Sequence, residues 1–233
     1  MATPYILNID TATDICSVAL SQGEQIIAYR ENLNGKSHAQ TLLPFIQDVL
    51  NEGHVSVGQL NAVALSKGPG SYTGLRIGTS TAKGICYAVE LPLIAIPTLQ
   101  IIAVDAVNEA KQYPDGLICP LLDARRMEVF TAFYQNDLTE ISPVHACIVD
   151  EECFTDILLN NHVVFCGNGV KKCAPILAQS SHAHFISEPI SARNMAQIAF
   201  SKFLNRQFED VAYFEPFYLK EYVAARSQVK GLQ

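Results

Sequence analysis

A glycine-rich segment between a predicted buried strand and a predicted helix constrains the fold of this chain most. The apolar residues 62–65 predict the strand, and Gly68, Gly70 and Gly74 follow within a few positions. Such a strand–loop–helix junction directs backbone N–H groups and the positive end of a helix dipole at one point, which suits an anion such as a phosphate. A tight turn before a helix is the simpler interpretation, and the pattern alone leaves both open.

The helix that follows this loop carries small residues four positions apart, at Gly74, Gly78 and Ala82. Glycine in a helix interior costs about 1 kcal/mol relative to alanine, so a stripe of this kind usually lets another backbone come close. The sequence leaves two hypotheses for that neighbour, which are the chain's own sheet and a second subunit.

The order of predicted elements is that of a mixed α/β fold. Three strands come first, and helices then alternate with strands up to about residue 110. The second half repeats the strand–glycine–helix pattern at residues 167–169, which favours a duplicated βββαβα design with a cleft between two lobes. A turn at residues 113–116 predicts a boundary between an N-terminal lobe, 1–112, and a smaller C-terminal lobe, 113–233, whose last helix and tail could pack back on the first.

Charge and cysteine content limit the partners and the compartment. The net charge of −7 disfavours tight nucleic-acid binding by this chain alone, because a phosphate backbone needs a basic patch. The sequence contains no signal-peptide pattern and no transmembrane-length apolar run, so we expect a cytoplasmic protein without membrane contact. The seven cysteines form no Cys-x-x-Cys motif, and we expect them to be reduced and mostly buried.

Asp10, at the end of the first predicted strand, is the main candidate for phosphate chemistry. An aspartate there could hold a magnesium ion or a water near a phosphate. The alternative is a turn in which Asp10 or Thr11 bonds the local backbone. The candidate phosphate or nucleotide loop consists of Asp10, Thr11, Gly68, Gly70, Ser71 and Thr73.

Metal binding and catalysis find little support in the sequence. His182 and His184 are the one close histidine pair, and nothing near them in sequence completes a ligand set, so surface positions are the better interpretation. No nucleophile, general base and orienting group can be assigned together. We therefore predict no metal ligands and no catalytic residues.

Three segments resemble the TsaB family, also called YeaZ. They are residues 6–13 (ILNIDTAT), 37–40 (SHAQ), where Ser37 is the predicted N-cap of a helix, and 68–78 (GPGSYTGLRIG). The last is the most specific, and the resemblance is close over about the first hundred residues. It implies an actin-like, sugar-kinase-like (ASKHA) fold of two lobes, the second one reduced, and a role in the threonylcarbamoyladenosine modification of tRNA.

The resemblance also implies kinship with TsaD, which catalyses threonylcarbamoyl transfer and carries two metal-binding histidines. The matching segment here, 97–105, contains no histidine, so this copy is expected to have kept the fold without the chemistry. The resulting hypothesis is a subunit that is not an enzyme on its own. It would bind and activate the TsaD homologue, support assembly with the TsaE homologue, and meet tRNA only through the complex.

In this family the two N-lobe helices pack against those of TsaD, or of a second copy, as a four-helix bundle. The resemblance therefore implies a homodimer in isolation and an interface containing ten residues, which are Leu42, Phe45, Ile46, Val49, Gly74, Leu75, Ile77, Gly78, Thr81 and Ala82. No cofactor is expected, although ATP or ADP could bind where the partners meet. Two alternatives are an ATP-binding phosphotransferase or ATPase that uses Asp10 and the glycine loop, and a protease acting on TsaD. The protease is the weaker of the two.

Overall fold

The computed structural model describes residues 3–33, 35 and 38–220, and the first half of these builds one five-stranded sheet. Ser37, the predicted N-cap, lies outside the described residues. The sheet has the strand order β3-β2-β1-β4-β5, with β1 antiparallel to β2 and parallel to β4. Its strands are β1 (Tyr5–Asp10), β2 (Cys16–Gln22), β3 (Gln25–Asn32), β4 (Ala62–Gly68) and β5 (Leu93–Pro97).

The second half of the chain repeats this topology. Its five strands pair in the order β10-β9-β6-β7-β8, with β6 antiparallel to β7 and parallel to β9. They are β6 (Leu117–Asp123), β7 (Glu128–Tyr134), β8 (Glu140–Ile148), β9 (Val163–Cys166) and β10 (Ala183–Ile186). Two sheets of the same topology confirm the predicted duplicated α/β fold.

The helices show that the second lobe is the reduced one. The first lobe has helices of 15 and 18 residues before and after β4, whereas the corresponding helices of the second lobe have 6 and 8. In chain order the helices are α1 (His38–Glu52), α2 (Tyr72–Val89), α3 (Thr98–Ala103), α4 (Val107–Ala110), α5 (Thr155–Asn160), α6 (Val170–Leu177) and α7 (Ala196–Leu204).

The helical segment that follows β5, up to residue 110, is interrupted. A short 3₁₀ turn, Val104–Ala106, separates α3 from α4. At this turn the side-chain amide of Asn194 donates hydrogen bonds to the Asp105 carboxylate at 2.8 Å and to the Ile101 carbonyl at 3.5 Å. Because Asn194 comes from far along the chain, local helical propensity could not predict the interruption.

Buried side chains form three clusters that fix the layers. One lies between the first sheet and helices α1 and α2, and another lies between the second sheet and helices α5 and α6. The third joins the other faces of both sheets to α3 and α7. Helix α7 therefore returns to the first sheet, although it follows the second sheet in sequence.

The tail beyond α7 also runs back over the first lobe. The Glu209 amide donates to the Leu93 carbonyl at 2.8 Å, and the Phe217 amide donates to the Lys67 carbonyl at 2.7 Å. The Lys220 ammonium then pairs with the Glu128 carboxylate in the second lobe. This segment spans both lobes beside the glycine loop.

No helix within the described ranges combines the length and apolarity that crossing a bilayer requires.

Candidate functional site

The small-residue stripe of α2 faces the chain's own β1–β2 loop. A Cβ atom added to Gly74 would lie 2.1 Å from the Thr11 carbonyl oxygen, and one added to Gly78 would lie 2.3 Å from the Thr11 hydroxyl oxygen. That hydroxyl donates a hydrogen bond to the Gly74 carbonyl at 2.8 Å, and Ala82 is fully buried in the same lobe. The expectation that this stripe receives a partner helix is therefore wrong, because the stripe packs within this chain, its two glycines against the loop after β1 and not on the sheet itself.

Most of the other predicted interface residues also lie in the core. Both helices are amphipathic, and their regularly spaced apolar positions pack on the first sheet. Phe45, Ile77 and Thr81 remain partly exposed and stay predicted interface residues. The predicted residues that are buried within this chain, and so corrected here, are Leu42, Ile46, Val49, Gly74, Leu75, Gly78 and Ala82.

The outer face of α1 and α2 exposes apolar residues that the sequence reasoning did not nominate. Leu43 is 61% exposed, Tyr87 is 84% exposed and Val89 is 37% exposed. Gly84 faces open space, since a Cβ atom added to it would meet nothing within 4 Å. We call Leu43, Gly84 and Tyr87 the outer helix face, whereas Val89 is the last residue of α2 and lies on another side of that helix, two positions after Tyr87. Leu43 and Tyr87 do not fit the spacing of the buried positions on their helices. This mismatch was the signal in the sequence that could have identified them as exposed.

Asp10 is buried behind the candidate phosphate loop. Its side chain is inaccessible to solvent, and one carboxylate oxygen accepts the Ala12 amide at 3.1 Å. The other oxygen has no hydrogen-bond partner among the described residues. Burial raises the pKa of the Asp10 carboxyl, and smaller opposing effects come from the Ser66 hydroxyl, the Ala12 amide and His38. The Asp10 side chain therefore does not reach the solvent-filled space between the lobes.

The first turn of α2 is bonded to its own loop and capped by its own side chain. The Ser71 amide donates to the Ala12 carbonyl at 2.6 Å, and the Ser71 hydroxyl accepts the Gly74 amide at 3.3 Å. Gly68 has a φ of +112°, and a Cβ atom there would lie 2.3 Å from the Phe217 carbonyl oxygen. The tail therefore covers Gly68. The amides of Ser71 and Gly74, which could have bound an anion, already donate hydrogen bonds within the chain.

A cleft of about 670 Å³ separates the lobes. Of the predicted loop residues, Gly70, Ser71 and Thr73 line it, whereas Asp10, Thr11 and Gly68 do not. The second lobe and the tail supply residues that the sequence reasoning missed. They are Leu122, Asp123, Ala124, Arg125, Phe130, Asn168, Tyr218, Leu219 and Lys220. The predicted phosphate site is thus divided between a cleft wall and a buried layer.

Asp123 opens the equivalent loop of the second lobe. Its carboxylate accepts the Arg125 amide at 2.8 Å and pairs with the Lys172 ammonium. Partial burial alone would raise the pKa of this carboxyl, but the hydrogen bonds from Lys172 and Arg125, with the charge of Lys172, outweigh it and lower the pKa. Asp123 is therefore an ionised, paired carboxylate on the wall of the cleft.

Three histidines come together at the outer end of the second sheet, away from this cleft. His162 Nδ1 lies 3.0 Å from His184 Nε2, and the Tyr113 hydroxyl lies 3.1 Å from His184 Nδ1. The His182 ring packs on His162 with a centroid distance of 4.4 Å. Throughout the residues that the structure describes, no group of three histidine, cysteine or acidic side chains is arranged to hold a metal ion.

Comparison with known sequences gives a consistent result over nearly the whole chain. The family model described as TsaD, tRNA N6-adenosine threonylcarbamoyltransferase, matches residues 31–227. The tRNA threonylcarbamoyladenosine biosynthesis protein TsaB of Escherichia coli is 34% identical over 227 residues, which cover 94% of this chain and 96% of that protein. The protein of the same name from Haemophilus influenzae is 28% identical, covering 94% of each chain.

Two solved structures from Pseudomonas aeruginosa share the fold. One, described as an uncharacterized protein with similarity to peptidase YEAZ, has a TM-score of 0.81 and 24% identity, covering 93% of this chain and 100% of that chain. The other, described as YeaZ, has a TM-score of 0.79 at the same identity and coverage.

Proposed function

The chain belongs to the TsaB family of tRNA threonylcarbamoyladenosine biosynthesis proteins, and from this premise we propose that it is a non-catalytic subunit of the machinery that makes this modification. In this proposal it binds and activates the TsaD homologue. It also supports assembly with the TsaE homologue, so that the adenosine next to the tRNA anticodon is modified. The chain would act in the cytoplasm.

The outer helix face is the observation that carries this proposal. Leu43 and Tyr87 place large apolar side chains in solvent on two helices that pack side by side on one sheet. Gly84 leaves an open, side-chain-free position between turns of α2. Exposed apolar surface of this kind marks protein–protein contact sites, and helices with small residues can approach each other closely. Ile77 and Thr81 come seven and three residues before Gly84, so they lie on the same side of α2 and would complete the contact.

The environment of Asp10 supports a role without catalysis of its own. A carboxylate that binds magnesium or orients a water must reach the phosphate of the nucleotide, whereas the Asp10 side chain is inaccessible to solvent. Thr11 is equally buried, and its hydroxyl is bonded to α2. The net charge of −7 further favours contact with tRNA through the complex rather than through this chain alone.

The proposal is tested by reversing the polarity of the outer helix face. Leu43→Asp and Tyr87→Asp should weaken association with the TsaD homologue by at least about tenfold, because a charge would be buried at the centre of the contact. Association is measured by calorimetry, and modified tRNA is measured after mixing with the TsaD and TsaE homologues. Leu159→Asp is the matched control, since Leu159 is 68% exposed on a helix of the other lobe.

Unchanged association and modification in the Leu43 and Tyr87 variants would contradict the proposed contact face. An equal loss in Leu159→Asp would contradict it as well, because the effect would then be unspecific. The same variants report on the homodimer that we propose for the isolated chain. If the outer helix face also joins two copies, gel filtration should show a shift toward monomer in Leu43→Asp and none in Leu159→Asp.

A phosphotransferase or ATPase is the second candidate, and the cleft between the lobes favours it. The cleft offers the hydroxyls of Ser71 and Thr73 and the charge of Arg125, whereas the ammonium of Lys220 is paired with Glu128. Tight magnesium-ATP binding by the isolated chain, lost in Asp10→Asn, would support this function over the first. ATP or ADP binding that requires the TsaD homologue would instead place a nucleotide where the partners meet.

A protease acting on the TsaD homologue has less support. The ring nitrogens of the described histidines that make hydrogen bonds contact carbonyl oxygens, Tyr113 or another histidine. A hydrolytic nucleophile needs a base within hydrogen-bond reach. Stable, intact TsaD homologue after prolonged mixing would exclude this function, and site-specific cleavage would revive it.

A further inference from the structure

Two of the seven cysteines differ from the others in environment. Cys16, Cys86, Cys119, Cys166 and Cys173 are buried, whereas Cys147 and Cys153 are only half-buried. The Sγ atoms of Cys147 and Cys153 lie 2.6 Å apart. The contacts of two buried thiols are longer, at 3.1 Å from Cys119 Sγ to the Thr131 hydroxyl oxygen and 3.7 Å from Cys86 Sγ to the Pro92 carbonyl oxygen. The second lobe thus holds a solvent-reachable pair of thiols in direct contact.

The backbone on both sides holds this pair in place. Cys147 lies on β8 and is paired with Val129 of the neighbouring strand. Cys153 lies in the turn before α5, where the Asp150 carboxylate accepts its amide at 2.9 Å and the Glu152 amide at 3.1 Å. The contact between the two sulfurs therefore follows from a strand and a bonded turn, and not from two freely rotating side chains.

The residue after Cys153 adds a second sign of constraint. Phe154 has a φ of +111°, a conformation that side chains with a Cβ atom rarely adopt. Its ring packs against Phe133 and Phe165, at centroid distances of 5.9 Å and 5.3 Å. The core of the second lobe thus holds the turn that carries Cys153 in its conformation. A pocket of about 250 Å³ that Cys153 lines gives small molecules access to this thiol.

We propose that Cys147 and Cys153 form a reversible dithiol–disulfide site, which oxidation converts into a covalent link between β8 and the turn before α5. A disulfide bond is about 2.05 Å long, so the sulfurs need to approach from 2.6 Å by only about 0.5 Å. The five buried thiols stay reduced because no oxidant reaches them. No metal, cofactor or partner protein is needed for the reaction.

The reaction is a thiol–disulfide exchange with a small disulfide as the oxidant. The Cys147 thiolate attacks one sulfur of the oxidant, forms a mixed disulfide and releases one thiolate. The Cys153 sulfur then attacks the Cys147 sulfur, loses its proton to solvent and releases the second thiolate. The protein loses two electrons and two protons, and the oxidant becomes two thiols.

Burial is the largest cause that raises the pKa of the Cys153 thiol, and the neighbouring Cys147 adds to it. The 2.6 Å contact between the two sulfurs lets Cys153 attack as soon as a mixed disulfide on Cys147 has formed. The acidic side chains of Asp150, Glu151 and Glu152 lie next to the pair in sequence, and all three are exposed. They should repel a negatively charged oxidant, so a neutral disulfide should react faster than oxidised glutathione.

The test treats the folded, full-length protein with bis(2-hydroxyethyl) disulfide, blocks the remaining thiols and maps the peptides by mass spectrometry. We expect a Cys147–Cys153 link, the loss of two titratable thiols and full recovery with dithiothreitol. The five buried cysteines should react at least about tenfold more slowly. In Cys153→Ser the reaction should stop at a mixed disulfide on Cys147, while Cys173→Ser, a buried control, should still form the link.

Two results would overturn the proposal. One is separate mixed disulfides on Cys147 and Cys153 with no link between them. The other is equal modification of all seven cysteines, which would mean that the fold does not single out this pair. Peptide mapping of the wild-type protein decides between these outcomes even if a serine variant folds poorly. If oxidised glutathione reacts as fast as the neutral disulfide, the acidic turn does not influence the oxidant, and that part of the proposal fails.

Discussion

In both lobes the end of the first strand is hydrogen-bonded to the glycine loop, and we call this contact the joint of the lobe. The aspartate of the joint is buried in the first lobe and forms a salt bridge in the second. In each lobe the first strand ends in an aspartate that accepts the amide two residues on, at 3.1 Å for Asp10 and 2.8 Å for Asp123. In each, an amide of the glycine loop donates to a carbonyl near the end of the first strand, from Ser71 to Ala12 at 2.6 Å and from Gly169 to Leu121 at 2.8 Å. The backbone geometry is thus shared, whereas the surroundings of the two carboxylates differ.

The difference lies in the helix that follows each glycine loop. Helix α2 brings glycines against its joint, and Asp10 makes no salt bridge among the described residues, so burial raises the pKa of that carboxyl more than its neighbours lower it. Helix α6 brings Lys172, whose ammonium binds the Asp123 carboxylate and, at 2.8 Å and 2.6 Å, the carbonyls of Arg126 and Glu128. A duplicated fold can therefore conserve its turns while packing seals one aspartate and a salt bridge holds the other.

The largest expected effect is on the glycine-packed joint of the first lobe. In Gly74→Ala the added methyl group would meet the Thr11 carbonyl oxygen at 2.1 Å, and backbone atoms cannot swing aside. We expect the free energy of unfolding to fall by about 3 kcal/mol, at the upper end for overpacking. The measurement is chemical denaturation followed by circular dichroism.

Two alanine variants serve as controls for Gly74→Ala. In Gly169→Ala, at the second joint, the methyl group would lie 2.8 Å from the Leu121 carbonyl oxygen, so the loss should be smaller, about 1 kcal/mol. Gly84→Ala faces open space and should stabilise the protein by about 1 kcal/mol, the helix-propensity difference. If Gly74→Ala is as stable as Gly84→Ala, the stripe does not pack on Thr11.

The inward direction of the stripe shows where sequence reasoning stops. Periodicity predicted three strands followed by alternating helices and strands, because the spacing of apolar residues reports local geometry. The same periodicity cannot say which neighbour a small face contacts, since Thr11 lies 63 residues from Gly74. The resemblance to TsaB supplied the family and fold correctly, yet it led to seven interface residues that the structure buries.

The sequence also could not predict the contacts of the C-terminal tail or of the cysteine pair, because each depends on neighbours that only the folded chain brings together. The tail reaches the second lobe through Lys220 and covers Gly68 through Phe217, and no local pattern at residue 68 indicates that. The Cys147–Cys153 contact depends on a turn with Phe154 at an unusual φ. The tail contacts are long-range, and the contact between Cys147 and Cys153, six residues apart, depends on the core that holds the turn, so neither follows from a local sequence pattern.

An intermediate loss of stability is expected when the ammonium of Lys172, which binds Asp123 in the second lobe, is removed. Lys172→Met keeps the length of the side chain but removes three hydrogen bonds from its ammonium, so we expect a loss of about 2 kcal/mol at neutral pH. Lys171→Met, at an exposed neighbouring position, should cost almost nothing.

The stability that the Asp123 carboxylate contributes depends on pH. Because the pKa of Asp123 is lowered in the folded state, this contribution is complete above the usual value of 3.8 and is lost as the pH falls through the lowered pKa. A difference between wild type and Lys172→Met that does not shrink in acid would show that the ion pair is not its source.

The smallest effect, and the one of opposite sign, is expected at Asp10. Asparagine keeps the oxygen that accepts the Ala12 amide and removes a buried charge whose second oxygen has no partner among the described residues. We therefore expect Asp10→Asn to gain about 1 kcal/mol at neutral pH, whereas Asp123→Asn should lose stability.

The pH dependence of these two effects follows from the two carboxyl groups. Because the folded state raises the pKa of Asp10 above 3.8, the ionised carboxylate lowers the stability of the wild-type protein above that raised pKa. This loss of stability disappears as the pH falls through the raised pKa. The gain of Asp10→Asn should thus fade in acid, as should the loss of Asp123→Asn. Denaturation at a series of pH values measures both, and a destabilised Asp10→Asn at neutral pH would mean that the buried carboxylate stabilises its joint as Asp123 does.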